Sequence, residues 1–157
     1  MSQAYLIVLT ISLLVVAVAM TRGGHPEKWC AAIIAGEVTI DLLILLTMGP
    51  RSFGEFHISR ILLDGIAAAL LVAVAMRANR IYPLAIAAAQ LVALIGNVVA
   101  MLAVDGMAQA FWAMTQMPLF LQLALLAGGT LAHRLRLAKI GEYNCWSPKE
   151  GPQRQFG

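Results

Sequence analysis

The sequence predicts an all-α membrane protein, a bundle of about five transmembrane helices with its N-terminus outside and its C-terminus in the cytoplasm. Three observations predict this class. The 157 residues are 61% hydrophobic and only 12% charged, whereas a soluble domain normally carries about 25% charged residues. The mean hydropathy is +0.81. The apolar residues form long blocks that Gly, Pro and charged residues separate, so lipid is the expected solvent for most of the surface.

Five apolar blocks define the predicted membrane spans. Each is close to the ~17–25 residues that carry a helix across the hydrocarbon core. Strands are the poorer alternative, because a spanning barrel needs alternating polarity and these blocks are apolar throughout. The predicted spans cover residues 4–20, 29–48, 59–76, 82–104 and 110–132.

The first block has an alternative interpretation as a cleaved signal peptide. Its apolar stretch is long, and Ala17-Val18-Ala19 resembles a cleavage site. A signal peptide has Lys or Arg before its apolar stretch, and this sequence has neither there. We therefore interpret the first block as a retained span.

The distribution of basic residues predicts the orientation. With five spans, only Arg51 and Arg60 of the eleven Lys and Arg residues fall on one side. The side with the excess is the cytoplasmic one by the positive-inside rule. We therefore predict a multi-pass protein of the inner membrane, with a transmembrane bundle over residues 1–134 and a basic cytoplasmic tail over 135–157. The residues on the basic side are Arg22, Lys28, Arg77, Arg80, Arg134, Arg136, Lys139, Lys149 and Arg154.

Motifs for catalysis, metal binding or nucleotide binding are absent from the sequence. There is no nucleophile elbow, H-E-x-x-H, P-loop or dinucleotide fingerprint. Cys30 and Cys145 are far apart and form no C-x-x-C pair, so we expect no disulfide and no metal site. Topology accounts for the basic residues, which leaves no reason to expect nucleic-acid binding. We predict no enzymatic activity and no cofactor.

Polar side chains inside the predicted spans are the candidate functional residues. A charged residue in the bilayer core costs at least ~2.5–3.5 kcal/mol, so each one needs a partner or a role. At 1.5 Å per residue, most of them fall about 8–11 Å below the outer boundary, and Glu37 lies about one turn deeper. The predicted polar cluster consists of Glu37, Asp41, Arg60, Asp64, Asn97 and Gln116.

This polar layer has two interpretations. In the structural one, Arg60 neutralises Asp64 or Asp41 and amides satisfy the remaining groups, so that the layer fixes helix register. In the functional one, a cavity open to the outside lets Asp41, Asp64 and Glu37 bind or relay protons or a cation. Carboxylates outnumber the nearby arginine, which favours a bound proton or cation. The sequence indicates no second polar layer toward the cytoplasm, which favours the structural interpretation.

The end of the fifth span carries a cluster of cations, Arg134, Arg136 and Lys139. The simpler interpretation is anchoring at anionic headgroups, and the alternative is a docking patch for a partner. We predict a non-enzymatic accessory or assembly subunit, or a homo-oligomer, in contact with the lipid bilayer and with a membrane-protein partner or a second copy. The alternative prediction is a small proton- or cation-coupled transporter or channel that uses the intramembrane carboxylates.

The segment from Arg77 to Leu91 contains Arg77, Arg80, Tyr82-Pro83-Leu84 and Gln90-Leu91. It resembles a segment of small uncharacterised multi-pass bacterial inner-membrane proteins. The resemblance covers about a tenth of the chain. It implies a multi-pass membrane protein and implies no particular activity.

Overall fold

The computed structural model describes residues 3–48, 58–78, 80–102 and 108–141. The described chain is α-helical apart from its short connections, which confirms that the fold is all-α. Each predicted span corresponds to one helix. The last helix continues well beyond residue 132, so the first residues of the predicted tail are helical. The helices are α1 (Gln3–Arg22), α2 (His25–Met48), α3 (Ile58–Arg77), α4 (Tyr82–Leu102) and α5 (Ala108–Ile140).

Several residues of the sequence analysis lie outside the described part of the chain. They are Arg51, Cys145, Lys149 and Arg154. The predictions that concern them remain predictions, as does the orientation of the termini.

Three of the described stretches are long and apolar enough to cross a membrane: His25–Thr47, Ser59–Arg77 and Tyr82–Val99. In α1, a shorter apolar stretch runs from Leu6 to Arg22. Large apolar side chains are exposed on the outer faces of the bundle, among them Leu43 of α2, which is 59% exposed. A surface of this kind suits lipid rather than water.

The five helices pack side by side in a closed ring, and α2 makes contacts with more helices than any other member. Each helix packs against the next in sequence, and α1 also packs against α5. In addition, α2 contacts α4 and α5, so within the described residues it touches every other helix. Side chains on the inward face of α2 can therefore meet groups from the whole bundle.

A tight connection joins α1 to α2 through Gly23 and Gly24. The N–H of Gly23 donates to the carbonyl oxygen of Ala19 at 2.9 Å. A Cβ atom at position 23 would lie 2.4 Å from that oxygen, so the turn requires glycine. Pro26 then lies in the first turn of α2, where its fixed φ and missing N–H cost nothing.

Cross-helix contacts establish the register of the bundle. Glu37 of α2 contacts Gln90 of α4, and Glu27 of α2 contacts Arg80 just before α4. In both pairs the two residues are 53 positions apart in the sequence. These two helices therefore run parallel. Because Asp41 of α2 pairs with Arg60 near the start of α3, those two helices run antiparallel.

One end of the bundle is basic, and we call it the basic end. There α1, α3 and α5 end, and α2 and α4 begin. The C-terminus of α5 is capped by Gly141, which adopts a φ of 74° and donates its N–H to Leu137 at 3.0 Å. The exposed cations of the basic end are Arg22, Lys28, Arg77, Arg134, Arg136 and Lys139.

Candidate functional site

A single stripe of side chains on α2 carries the acidic residues of the candidate site. Its members follow one another at alternating spacings of three and four, which keeps them on one face of a helix. The stripe faces the interior of the bundle, because Glu27 and Ile34 are both completely buried. The stripe consists of Glu27, Cys30, Ile34, Glu37 and Asp41.

In the middle of the bundle, Glu37 belongs to a chain of side-chain hydrogen bonds across three helices. The Nε2 atom of Gln90 in α4 donates to the Oε1 atom of Glu37 at 2.7 Å. The Nε2 atom of Gln122 in α5 donates in turn to the Oε1 atom of Gln90. Both glutamines are only 1% exposed, so the chain of bonds lies away from the bundle surface.

A second carboxyl group, that of Asp64 in α3, lies beside Glu37. The two carboxyl groups are close enough to interact, and the Nδ2 atom of Asn97 donates to Asp64. Two ionised carboxyl groups side by side repel each other, and one proton shared between them removes that repulsion. We call Glu37, Asp64, Gln90, Asn97 and Gln122 the central cluster.

Farther from the basic end, Arg60 forms an ion pair with Asp41. The sequence left open whether Arg60 neutralises Asp41 or Asp64, and this contact places it on Asp41. The side chains of Arg60 and Asp41 are 16% and 28% exposed, compared with 5% for Asp64. Asp64 is therefore more deeply buried than this ion pair, whereas Glu37 and Asn97 are half-buried.

The structure brings five of the six residues of the predicted polar cluster into these contacts. The sixth, Gln116, is half-buried on α5, and among the described residues its side chain makes no bond to the others. The amide that α5 contributes is that of Gln122, which the sequence analysis did not select. A glutamine within a predicted span was the available signal, because amides in a bilayer core need partners.

At the basic end, Glu27, Arg80, Tyr82 and His133 form a second cluster, the basic-end cluster. The guanidinium of Arg80 donates to the carboxylate of Glu27, and its Nη2 atom lies 3.2 Å from Nδ1 of His133. Glu27 is completely buried. The expectation that there is no second polar layer toward this end is therefore wrong. The predicted second span began at residue 29, which left Glu27 in a connecting segment.

Glycines allow the basic-end cluster to pack closely. A Cβ atom at Gly24 would lie 3.0 Å from Oε2 of Glu27 and 3.1 Å from Nε2 of His133. A Cβ atom at Gly129 would lie 2.9 Å from the ring of Tyr82. The hydroxyl of Tyr82 and Oε2 of Glu27 are both buried and have no hydrogen-bond partner among the described residues.

An apolar layer separates the two polar clusters. Glu27 and Glu37 are ten residues apart on α2, or about 15 Å along the helix axis. By the registers given above, Leu71, Ile86 and Leu126 lie at the level between them. Every member of the layer is 0% exposed. The apolar layer consists of Cys30, Ile34, Leu71, Ile86 and Leu126.

The predicted docking residues Arg134, Arg136 and Lys139 lie on the last turns of α5, and all three are exposed. Within the described part of the chain, no group of three or more His, Cys, Asp and Glu side chains is arranged to hold a metal ion.

Comparisons with protein-family models, with curated proteins and with solved structures find no match to this chain.

Proposed function

We propose that this chain is a small, non-enzymatic protein of the inner membrane that binds a proton in its central cluster and acts as a proton-coupled carrier or channel. The proposal rests on the position of Glu37. This carboxyl group lies midway along a helix of membrane-spanning length. Its partners among the described residues are the amide of Gln90 and the carboxyl group of Asp64.

The partners of Glu37 give no charge compensation, which is why we assign it a proton. An ionised carboxylate costs at least ~2.5–3.5 kcal/mol in the bilayer core, and a nearby cation or a bound proton removes that cost. Gln90 offers a neutral donor, and Asp64 offers a second acid. A proton on Glu37 or Asp64 removes one charge and relieves the repulsion between the two carboxyl groups.

The basic-end cluster also supports a transport function. The strongest sequence argument against transport was the expected lack of polar groups toward the cytoplasm. Glu27, Arg80 and His133 supply such groups. In this proposal the basic end faces the cytoplasm, in accordance with the positive-inside rule.

Proton flux into liposomes that contain the purified protein and an entrapped pH dye tests the proposal. We expect Glu37→Gln and Asp64→Asn each to abolish the flux, because each removes one of the two acids. Thr39→Val is the matched control on α2, because Thr39 is exposed and its hydroxyl donates to Ala35 of its own helix. Unchanged flux in both acid variants would contradict the proposal.

A second candidate function is that of an accessory subunit that docks through the end of α5. The 33 residues of α5 extend over about 50 Å, compared with about 30 Å for the hydrocarbon core. Its last turns therefore extend beyond the core, and they carry the exposed side chains of Arg134, Arg136 and Lys139. A membrane-protein partner with an acidic surface would fit this helix end.

Blue-native electrophoresis after mild detergent extraction tests the second candidate. Exchange of Arg134, Arg136 and Lys139 for Gln should release the partner. Exchange of three other exposed cations of the same end, Arg22, Lys28 and Arg77, should not. A wild-type protein that migrates as a lone monomer would contradict the accessory function.

A further inference from the structure

The apolar layer lies at one level of the bundle and draws its members from four helices. Cys30 and Ile34 come from α2, Leu71 from α3, Ile86 from α4 and Leu126 from α5. The members share no hydrogen-bonding side-chain group apart from the weakly polar thiol of Cys30. Every one of them is 0% exposed, so the layer fills the interior where α2 meets its neighbours.

Polar groups lie immediately on both sides of this layer. Glu37 follows Ile34 by three residues on the inward stripe of α2, and Glu27 precedes Cys30 by three. A polar path along the stripe is therefore interrupted at this level and nowhere else between Glu27 and Asp41. Apolar constrictions between polar chambers stop ions and protons because water does not enter them.

Burial also differs between the two ends of the path. The side chains of Asp41 and Arg60 are 28% and 16% exposed, compared with 5% for Asp64 and 1% for Gln90, while Glu37 and Asn97 are half-buried. Asp41 and Arg60, the more exposed pair, lie on the side of the central cluster that faces away from the basic end. Beyond the apolar layer, Glu27 is fully buried, while Tyr82 and His133 of the basic-end cluster are half-buried.

We propose that the apolar layer is a gate that isolates the central cluster from the basic-end cluster. In this state the central cluster communicates only with the end opposite the basic end. This inference rests on the proposed function, since it specifies how access to Glu37 and Asp64 is controlled. Ile34 occupies the decisive position, because it is the stripe residue between the central cluster and Cys30. Wetting of this level would join the two polar clusters.

Substitutions that add a hydrogen-bonding atom and remove at most one heavy atom from the side chain test the gate. Ile34→Thr and Leu71→Asn change the layer on two different helices. Ile66→Thr and Leu43→Asn are matched controls, because Ile66 and Leu43 are each 59% exposed on the outer faces of α3 and α2. The full-length chain is used throughout, with Cys145→Ser as background so that Cys30 is the only thiol.

The first measurement is alkylation of Cys30 by a membrane-impermeant thiol reagent added at the basic end. We expect no labelling in the background protein and in the two controls, and labelling in Ile34→Thr and Leu71→Asn. Labelling of the background protein at the same rate would overturn the gate, because the layer would already be wet. Loss of folded protein in both layer variants, with both controls folded, would also overturn it, because the layer would then serve only packing.

The second measurement is passive proton flux in liposomes. We expect the two layer variants to show a higher flux than the controls, and Glu37→Gln added to each to remove the gain. Unchanged flux in variants whose Cys30 is labelled would overturn the gate. A gain of flux that survives Glu37→Gln would leave the gate intact and overturn the proposed function, because protons would then pass without the central cluster.

Discussion

The guanidinium of Arg80 is paired with the carboxylate of Glu27, and both partners are withdrawn from solvent. The side chain of Glu27 is 0% exposed and that of Arg80 is 7% exposed. The pair ties the first turn of α2 to the segment before α4, and the contact of Arg80 with His133 extends the network to α5. Three parts of the chain therefore meet at one ion pair.

Arg80→Gln should destabilise the protein by about 3–5 kcal/mol, because it leaves the carboxylate of Glu27 buried without a counter-charge. The Glu27→Gln/Arg80→Gln double variant should lose less, because two neutral amides replace the two charges. Thermal unfolding in detergent measures both. Arg77→Gln is the control, because Arg77 is exposed and its loss should change stability by less than about 0.5 kcal/mol. Equal losses in the single and double variants would contradict the buried ion pair.

Gly129→Ala should destabilise the protein by about 1–3 kcal/mol, because the added methyl group would contact the ring of Tyr82. Gly128→Ala is the adjacent control. A Cβ atom there meets nothing within 4 Å, so the variant should be neutral or slightly stabilised, since alanine favours helix. The same unfolding assay applies. The close packing of α4 on α5 would be refuted if the two variants behaved alike.

Gln90→Leu should cost about 1–3 kcal/mol of stability, because it removes the donor to Glu37 and the acceptor for Gln122. Gln116→Leu is the same exchange at a half-buried amide of α5, and it should cost much less. This comparison also tests whether Gln116 belongs to the central cluster, as the sequence suggested. A larger loss of stability for Gln116→Leu than for Gln90→Leu would show that the central cluster depends on Gln116 rather than on Gln90.

The proposed orientation predicts that a thiol at the end of α5 faces the cytoplasm. Lys139→Cys in the Cys145→Ser background should react with an impermeant reagent in inside-out vesicles and not in intact cells. The background protein controls for Cys30, which is buried. Labelling of Lys139→Cys in intact cells would reverse the orientation.

The helices were predictable because the bilayer imposes its thickness on the chain. Runs of apolar residues near twenty in number have few alternatives to a spanning helix. A helix lies at each of the five predicted positions, and three of these helices are long and apolar enough to cross a membrane. The end of α5 was not predictable in this way. Hydropathy falls at His133 and Arg134, but the backbone stays helical to Ile140, because charged residues at a membrane boundary do not terminate a helix.

The site was only partly predictable, because partners depend on helix rotation. Depth alone grouped Asp64 with Asn97, and these do bond. Depth could not show that Gln122 rather than Gln116 faces Gln90. Glu27 and Arg80 were missed for a different reason. Both were assigned to connecting segments, where charges are ordinary, and only the fold reveals that they are buried together.

Glu27 and Glu37 of α2 each bond to a residue that lies 53 positions later in the chain. This separation affects the order in which the partners are synthesised. At about 5–20 residues per second, a ribosome needs several seconds to produce Arg80 after Glu27, and Gln90 after Glu37. During that interval Glu27 and Glu37 have been made, but Arg80 and Gln90 have not. We therefore expect the newly made helix to be retained at the insertion machinery or near the lipid headgroups until α4 follows. A nascent chain truncated after α3 should remain attached to the translocon.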